Sequence, residues 1–428
     1  MGAARFDVLV VGSGPAGALA ALTLARRGAR VALVDRARFP RDKACGDLVG
    51  PRGIALLSRS GIGLEDGPAV GDMLVVGPTG NRVRLPSAPG LTYPDHGRSL
   101  PRSELDERLH RAALEAGAIP LTGRVGRPLG PGARPDGFEV SDGTAVRADF
   151  VIGADGATST VAAQTGLVDP ARVLWGFALR TYVDQPVELP TIVAWETRRW
   201  HAFPGYGWIF PTADGGANVG LGIAVRSGRE RGSEVARLLP AFLDRLRALG
   251  LLDRAAAQPG RRLGGWLKMG MVGTTAASGR TLLVGDAAGL VNPLQGEGIA
   301  QAMGSGVAAA EAIVDAPGHA AARYRAALAA TYLPYQQIAA AAQGALVGRP
   351  VALAALARLA TAPGVGRSLA GGWAVFWNDL LDGTPPGRPR TLAAALTGVG
   401  GWASGWSPTG RWFQDASGPD LNQVPPGG

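Results

Sequence analysis

The sequence predicts an α/β fold with a β-rich middle and a helical C-terminal region. Three features predict it. An apolar run at residues 6–11 enters the segment Gly12-Ser13-Gly14-Pro15-Ala16-Gly17, and an Ala/Leu-rich stretch follows at once. β-type runs dominate residues 173–225. From Gly298 onward the chain is Ala-rich and reads as helix broken by Pro and Gly.

Composition sets the bounds. The chain has 428 residues, which at about 150 residues per domain means two or three domains. It is 46% hydrophobic and 18% charged, which excludes a disordered or coiled-coil chain. The formal net charge is +9. Of 43 basic residues only Lys43 and Lys268 are lysines, so arginine occurs 41 times. With abundant Ala, Gly and Pro, that excess reads as the codon usage of a GC-rich genome. The cations are scattered, whereas a nucleic-acid surface needs them clustered among aromatics, so no nucleic-acid partner is expected. An anionic membrane or a phosphorylated substrate stays a candidate partner.

Cys45 is the only cysteine, which excludes disulfide scaffolds and Cys-based zinc sites. His96, His110, His201 and His319 have no metal-binding spacing, so no metal is expected. No signal-type segment precedes the first apolar run. The charge-free runs 326–348 and 391–410 are too polar or too broken to span a bilayer. The expected location is the cytoplasm, with a membrane surface as a candidate contact.

The elements follow in order. Residues 18–27 read as a helix stopped by Gly28, and residues 30–34 as a second strand ending at Asp35. Together they make a βαβ unit. Ser103 and Asp106 form an S-x-x-D capping signal, so a helix is expected from Ser103 to Gly117, with Leu105, Leu109, Ala112 and Ala113 at helical spacing. Residues 121–148 break into short strands and turns, and residues 150–152 enter Asp155-Gly156. The hairpin loop 212–216 joins two strands, and 233–249 is an amphipathic helix. A strand at 280–284 delivers Gly285-Asp286.

The first glycine segment has a mechanical reading. Gly12 permits the tight turn after the strand, Gly14 lets the backbone approach a diphosphate, and Gly17 lets the helix pack on the strand. The helix N-terminus then faces the anion. Asp35 is placed to accept from an adenosine ribose, and Arg36 to lie near it. An acid there argues against a 2′-phosphate and leaves NAD and FAD both open.

The late segment favours FAD. A strand delivers Asp286 to a loop, and Asn292-Pro293-Leu294-Gln295-Gly296-Glu297-Gly298 opens another helix at Ile299. A carboxylate there can accept from sugar-chain hydroxyls. A helix N-terminus can stabilise charge on a reduced flavin.

At this point the chain resembles the FAD-dependent oxidoreductases of para-hydroxybenzoate-hydroxylase type. Gly12–Gly17, Asp155-Gly156 and Gly285-Asp286 occur in that order. Lys43-Ala44-Cys45-Gly46, the run from Pro204 through Tyr206, Trp208 and Phe210 to Pro211, and Asn292–Gly298 resemble the geranylgeranyl reductase family in particular. The similarity covers residues 5–315. It implies a Rossmann-like FAD-binding domain from residues 1–72, 99–168 and 273–318. It also implies a β-rich substrate domain from 73–98 and 169–272, and a helical region and tail at 319–428.

The implied cofactor-binding residues are Gly12, Ser13, Gly14, Pro15, Ala16, Gly17, Asp35, Arg36, Cys45, Gly46, Arg102, Val125, Asp155, Gly156, Gly285, Asp286, Pro293, Gly296, Gly298 and Ile299. Arg102 would contact the phosphate–ribityl region, Asp286 the ribityl chain or diphosphate, and Gly296–Ile299 the isoalloxazine edge.

Tyr206, Trp208 and Phe210 alternate along a strand and share a face. They read either as an aromatic wall for an apolar substrate or as sheet core. Pro204 stands two residues before Tyr206, a departure from the family's P-x-x-Y pattern. Cys45 reads as a thiol near the flavin, and as the one candidate catalytic group. His201 is a candidate at the substrate rim. No second strand-flanked GxGxxG appears, so electrons are expected from transiently docked NAD(P)H or a separate carrier.

The leading functional reading is reduction of C=C bonds in an isoprenoid or polyprenyl lipid by hydride transfer from reduced flavin. The alternative is an FAD-dependent monooxygenase, a hydroxylase or epoxidase in natural-product tailoring. A binding chamber with structural FAD and a plain NAD dehydrogenase are the remaining readings. A halogenase is disfavoured because the W-x-W-x-I-P motif is absent.

Overall fold

The computed structural model describes residues 4–64, 67–87, 94–130, 135–194, 205–225, 232–253, 260–346 and 349–369, with short pieces up to residue 395. Two large sheets organise it.

The first sheet has a parallel centre. Ala4–Val11 lies between Ala145–Gly153 and Val31–Asp35, flanked by Thr281–Leu283 on one side and Ile119–Thr122 on the other. The central strand carries Val8, Leu9 and Val10 at 1% exposure or less, as a strand covered on both faces requires. Val125–Leu129 and Gly137–Val140 extend antiparallel from Ala145–Gly153. Helices Pro15–Arg26 and Ile299–Asp315 pack against one another. Gly306 allows this approach: a Cβ there would stand 2.1 Å from the Ala16 carbonyl oxygen.

The second sheet runs Leu263–Met269, Leu174–Val183, Ala217–Val225, Gly205–Pro211, Thr191–Ala194, Met73–Val76 and Arg82–Leu85. Its side chains alternate between faces. Val219, Leu221 and Ile209 meet Leu239, Phe242, Leu243 and Leu246 of helix Gly232–Ala248. The other face presents Trp208 and Phe210 to Leu48 and Val70. A small third sheet pairs Gly97–Ser99 with Leu48–Val49 on one side and Ala69–Val70 on the other.

Helices Ala320–Thr331, Leu333–Leu346 and Pro350–Ala360 follow. Tyr324 ties the first of them to the first sheet by donating from its hydroxyl to the Leu283 carbonyl at 2.7 Å. Among the described residues no helix is long and apolar enough to cross a membrane.

One local expectation is corrected. The helix starts at Arg102, with Pro101 as its cap and no side-chain cap bond. The N–H groups of Glu104 and Leu105 donate to the Pro101 carbonyl at 2.9 Å. Asp106 is drawn inward by Arg102 one turn back, so it cannot complete a capping box with Ser103.

Candidate cofactor and active site

The first turn has the shape the glycines were expected to give. Gly12 sits at φ +101°, and a Cβ there would lie 2.3 Å from the Ala154 carbonyl oxygen. A Cβ on Gly17 would lie 1.8 Å from the Gly12 carbonyl oxygen. Ser13, Pro15 and Ala16 are buried beneath the turn. A Cβ on Gly14 would meet only Arg41, at 3.4 Å, so this turn presents backbone to an open side.

Asp35 is tied to that turn. Its Oδ2 accepts from the Ser13 N–H at 2.7 Å and its Oδ1 from the Ala37 N–H at 2.8 Å. A carboxylate has about four acceptor positions, so capacity for a ribose hydroxyl remains. Arg36 stands exposed beside it. The Gly123 N–H donates to the Asp35 carbonyl at 2.8 Å, which brings buried Val125 to the same end of the sheet.

Arg102 is buried and holds Asp106 with two bonds of 2.8 Å. Arg41 pairs with the same carboxylate at 2.9 Å. Two guanidinium groups thus share one acid beside the Gly14 turn, a net positive patch suited to a diphosphate. Sequence reading named Arg102 as a candidate and missed Arg41. It also missed His110, whose Nδ1 lies 2.7 Å from Ser13 Oγ and whose ring stacks on Phe39 at 4.3 Å. Burial lowers the His110 pKa.

Asp155 turns its carboxylate into the next helix. It accepts from Ser159 Oγ at 2.5 Å, Thr160 N–H at 2.6 Å and Val161 N–H at 3.1 Å. Burial pushes its pKa up, and these bonds oppose the shift. The part of this loop that backs Gly12 is therefore backbone. Gly156 follows at φ +85° with open space around it.

The late loop closes on the same cleft. Gly285 packs on Ala16, 3.1 Å from its projected Cβ. Asp286 Oδ2 pairs with Lys43 Nζ at 3.3 Å. Pro293 is buried against Gly270, whereas Gly296 is exposed. Gly298 caps helix Ile299–Asp315 without a side-chain bond, and buried Ile299 begins it.

The second sheet covers this loop. Tyr206 donates to the Gln295 carbonyl, and its hydroxyl is 3.2 Å from a Cβ projected on Gly296. Tyr206, Trp208 and Phe210 form a row with 6.3 Å between successive ring centroids. Trp208 and Phe210 are buried in sheet core, and Gly46 lies against them, 3.0 Å from Phe210 to a projected Cβ. Tyr206 is the half-buried member that reaches the late loop. His201 and Pro204 lie outside the described residues.

A buried polar hub underlies the aromatics. Asp47, at φ +61°, accepts from Tyr182 Oη at 2.5 Å and Asn218 Nδ2 at 2.7 Å. Asn218 also donates to the Cys45 carbonyl at 2.9 Å and accepts from Trp208 Nε1 at 2.9 Å. Burial pushes the Asp47 pKa up, against the hydrogen bonds from Tyr182 and Asn218. Burial also raises the pKa of the half-buried Cys45 thiol, with the Arg102 charge opposing. Cys45 is therefore a neutral thiol near neutrality, able to hold a proton at Sγ.

Glycine turns that a Cβ would fill, a positive patch, and a glycine-led helix start fit FAD. Among the described residues no cluster of metal-ligating side chains occurs.

Comparison with known proteins agrees. Residues 5–323 match the FAD binding domain family. The chain is 36% identical over 315 residues to a menaquinone reductase of Mycolicibacterium smegmatis, covering 72% of this chain and 76% of that protein. It is 32% identical over 321 residues to digeranylgeranylglycerophospholipid reductase 2 of Methanopyrus kandleri, covering 73% and 78%. The solved geranylgeranyl bacteriochlorophyll reductase-like protein of Thermoplasma acidophilum superposes with TM-score 0.69 at 23% identity, covering 84% of this chain and 92% of that one. That likeness shows the fold alone.

Proposed function

This chain belongs to the FAD-binding-domain oxidoreductases of geranylgeranyl reductase type, and from that premise we propose that it saturates C=C bonds in the polyisoprenoid chain of a lipid, menaquinone first among them. The names of the relatives support this: menaquinone, geranylgeranyl and digeranylgeranyl compounds share such a chain. The observation that carries the reading is Tyr206, which bridges the second sheet and the loop before Gly298. It joins the sheet that would hold the substrate to the loop that would hold the flavin.

FAD bound here and reduced by an electron donor would supply the hydride. The glycine turn, Arg41 and Arg102 bind its diphosphate, and Asp35 its ribose. Trp208 and Phe210 exclude water beneath Gly46. The Tyr206 hydroxyl and the Cys45 thiol each hold a proton beside this loop, and burial raises both pKa values. One of them protonates the second carbon. Electrons come from docked NAD(P)H or a separate carrier.

The lipid is reached at a membrane surface. Helix Pro350–Ala360 supports this, with Val351, Leu356 and Leu359 exposed and Arg358 in its last turn.

The test is anaerobic turnover of photoreduced protein with menaquinone, followed by mass spectrometry after the quinone ring is reoxidised in air. A product that retains two extra hydrogens supports the proposal. A product that forms only with O₂ and carries an added oxygen assigns the protein to the monooxygenases instead.

A further inference from the structure

Arginine is the default cation of this chain, 41 times in 43, yet one lysine pairs with Asp286 and the other is attracted to it through space. Lys43 pairs with Asp286 at 3.3 Å. Lys268 stands opposite Trp175 near the end of strand Leu263–Met269 and is 1% exposed. Its Cγ lies 3.5 Å from a Cβ projected on Gly289, so its stem runs along the turn that carries Asp286. Asp155 and Asp286 attract its ammonium through space. Among the described residues it makes neither a hydrogen bond nor an ion pair.

A buried ammonium with three donors and no acceptor is costly. The two neighbouring acids do not require it. Asp155 already accepts from Ser159, Thr160 and Val161, and Asp286 already has Lys43. Both acids lie on loops that back the glycine turn, through Ala154 on Gly12 and Gly285 on Ala16. Lysine also differs from arginine in kind. It is a compact point charge, whereas a guanidinium needs room for a planar fork of five donors.

We propose that Lys268 is an anion-binding residue of the cofactor cleft, its ammonium meeting negative charge on the bound dinucleotide, either the diphosphate or the anionic reduced ring. The proposal rests on this cleft being the FAD site. Burial lowers the Lys268 pKa to about 8, partly offset by Asp155 and Asp286. An anion beside it restores the charged form.

The test compares full-length wild type with Lys268→Met and uses no lipid substrate, so it stands apart from the proposed turnover. FAD affinity is measured by fluorescence quenching on the apoprotein, and the midpoint potential by photoreduction against reference dyes. Wild-type binding establishes the cleft. If the diphosphate is the anion, Lys268→Met weakens oxidised FAD about tenfold and leaves the potential unchanged. If it is the reduced ring, oxidised affinity holds and the potential falls by about 30 mV for each tenfold loss in the reduced form.

Should Lys268→Met fail to fold, wild-type protein labelled with ¹³Cε-lysine gives two side-chain signals, assigned with Lys43→Arg. FAD binding or its reduction then shifts the Lys268 signal. Unchanged affinity and potential in a folded Lys268→Met protein, or a Lys268 signal that moves in neither step, overturns the proposal.

Discussion

The side-chain amide of Asn218 donates to the carboxylate of Asp47 at 2.7 Å, across 171 positions of sequence. This bond joins the second sheet to the segment that carries Cys45 and Gly46. Asn218 also accepts from Trp208 Nε1 and donates to the Cys45 carbonyl, so one side chain links all three.

Asn218→Leu takes one donor from the buried Asp47 carboxylate, which keeps Tyr182, and leaves the Trp208 N–H without its acceptor. A buried group left without its partner costs about 1–3 kcal/mol, and more when charged. Urea denaturation of the variant is expected to show a loss of at least about 2 kcal/mol. A stability equal to wild type would mean that the hub contributes nothing net.

Gly17→Ala places a methyl 1.8 Å from the Gly12 carbonyl oxygen. The turn must open, and its N–H groups leave the diphosphate position. FAD affinity is expected to fall on the order of a hundredfold, equal to ~3 kcal/mol. The check is the flavin-to-protein absorbance ratio of the purified variant. A fully yellow protein contradicts the assignment of this turn.

Much of the fold was readable because it repeats locally. The Gly12–Gly17 turn, the alternation around Trp208 and the apolar stripe of helix Gly232–Ala248 each fall within a short window. The hub was not readable. Asp47, Tyr182, Asn218 and Arg41 are single polar residues whose partners lie far away in sequence, and no period marks them. The Ser103 and Asp106 spacing misled for a similar reason: Arg102 and Arg41 claim Asp106 through tertiary contacts that override a local capping signal. The two lysines were visible as a count, but their placement around Asp286 and Asp155 was not.

The Lys268 pKa of about 8 is below the ordinary 10.5, which gives a signed pH effect. Between those values the unfolded chain binds a proton that the folded apoprotein does not. Stability therefore rises with pH across that window and is lost as pH falls through 8. The part due to Lys268 is roughly 3 kcal/mol. Melting curves of apoprotein from pH 7.5 to about 10.5 are expected to show this rise as the difference between wild type and Lys268→Met. Parallel curves for the two proteins contradict it.

Cys45 gives the opposite sign. Its pKa is raised above the ordinary thiol value of 9.0, so the thiol stays protonated well into alkaline solution. Iodoacetamide alkylation of folded protein is expected to reach half-maximal rate at a higher pH than alkylation of the urea-unfolded chain. A lower midpoint in the folded protein would mean a stabilised thiolate and would remove Cys45 as a proton holder.

The central claim is that reduction occurs on the isoprenoid chain. Protein photoreduced anaerobically in D₂O is given menaquinone, the ring is reoxidised in air, and deuterium is located by NMR. The account predicts deuterium on two adjacent carbons of the isoprenoid chain. Recovery of menaquinone with no deuterium in that chain would contradict it.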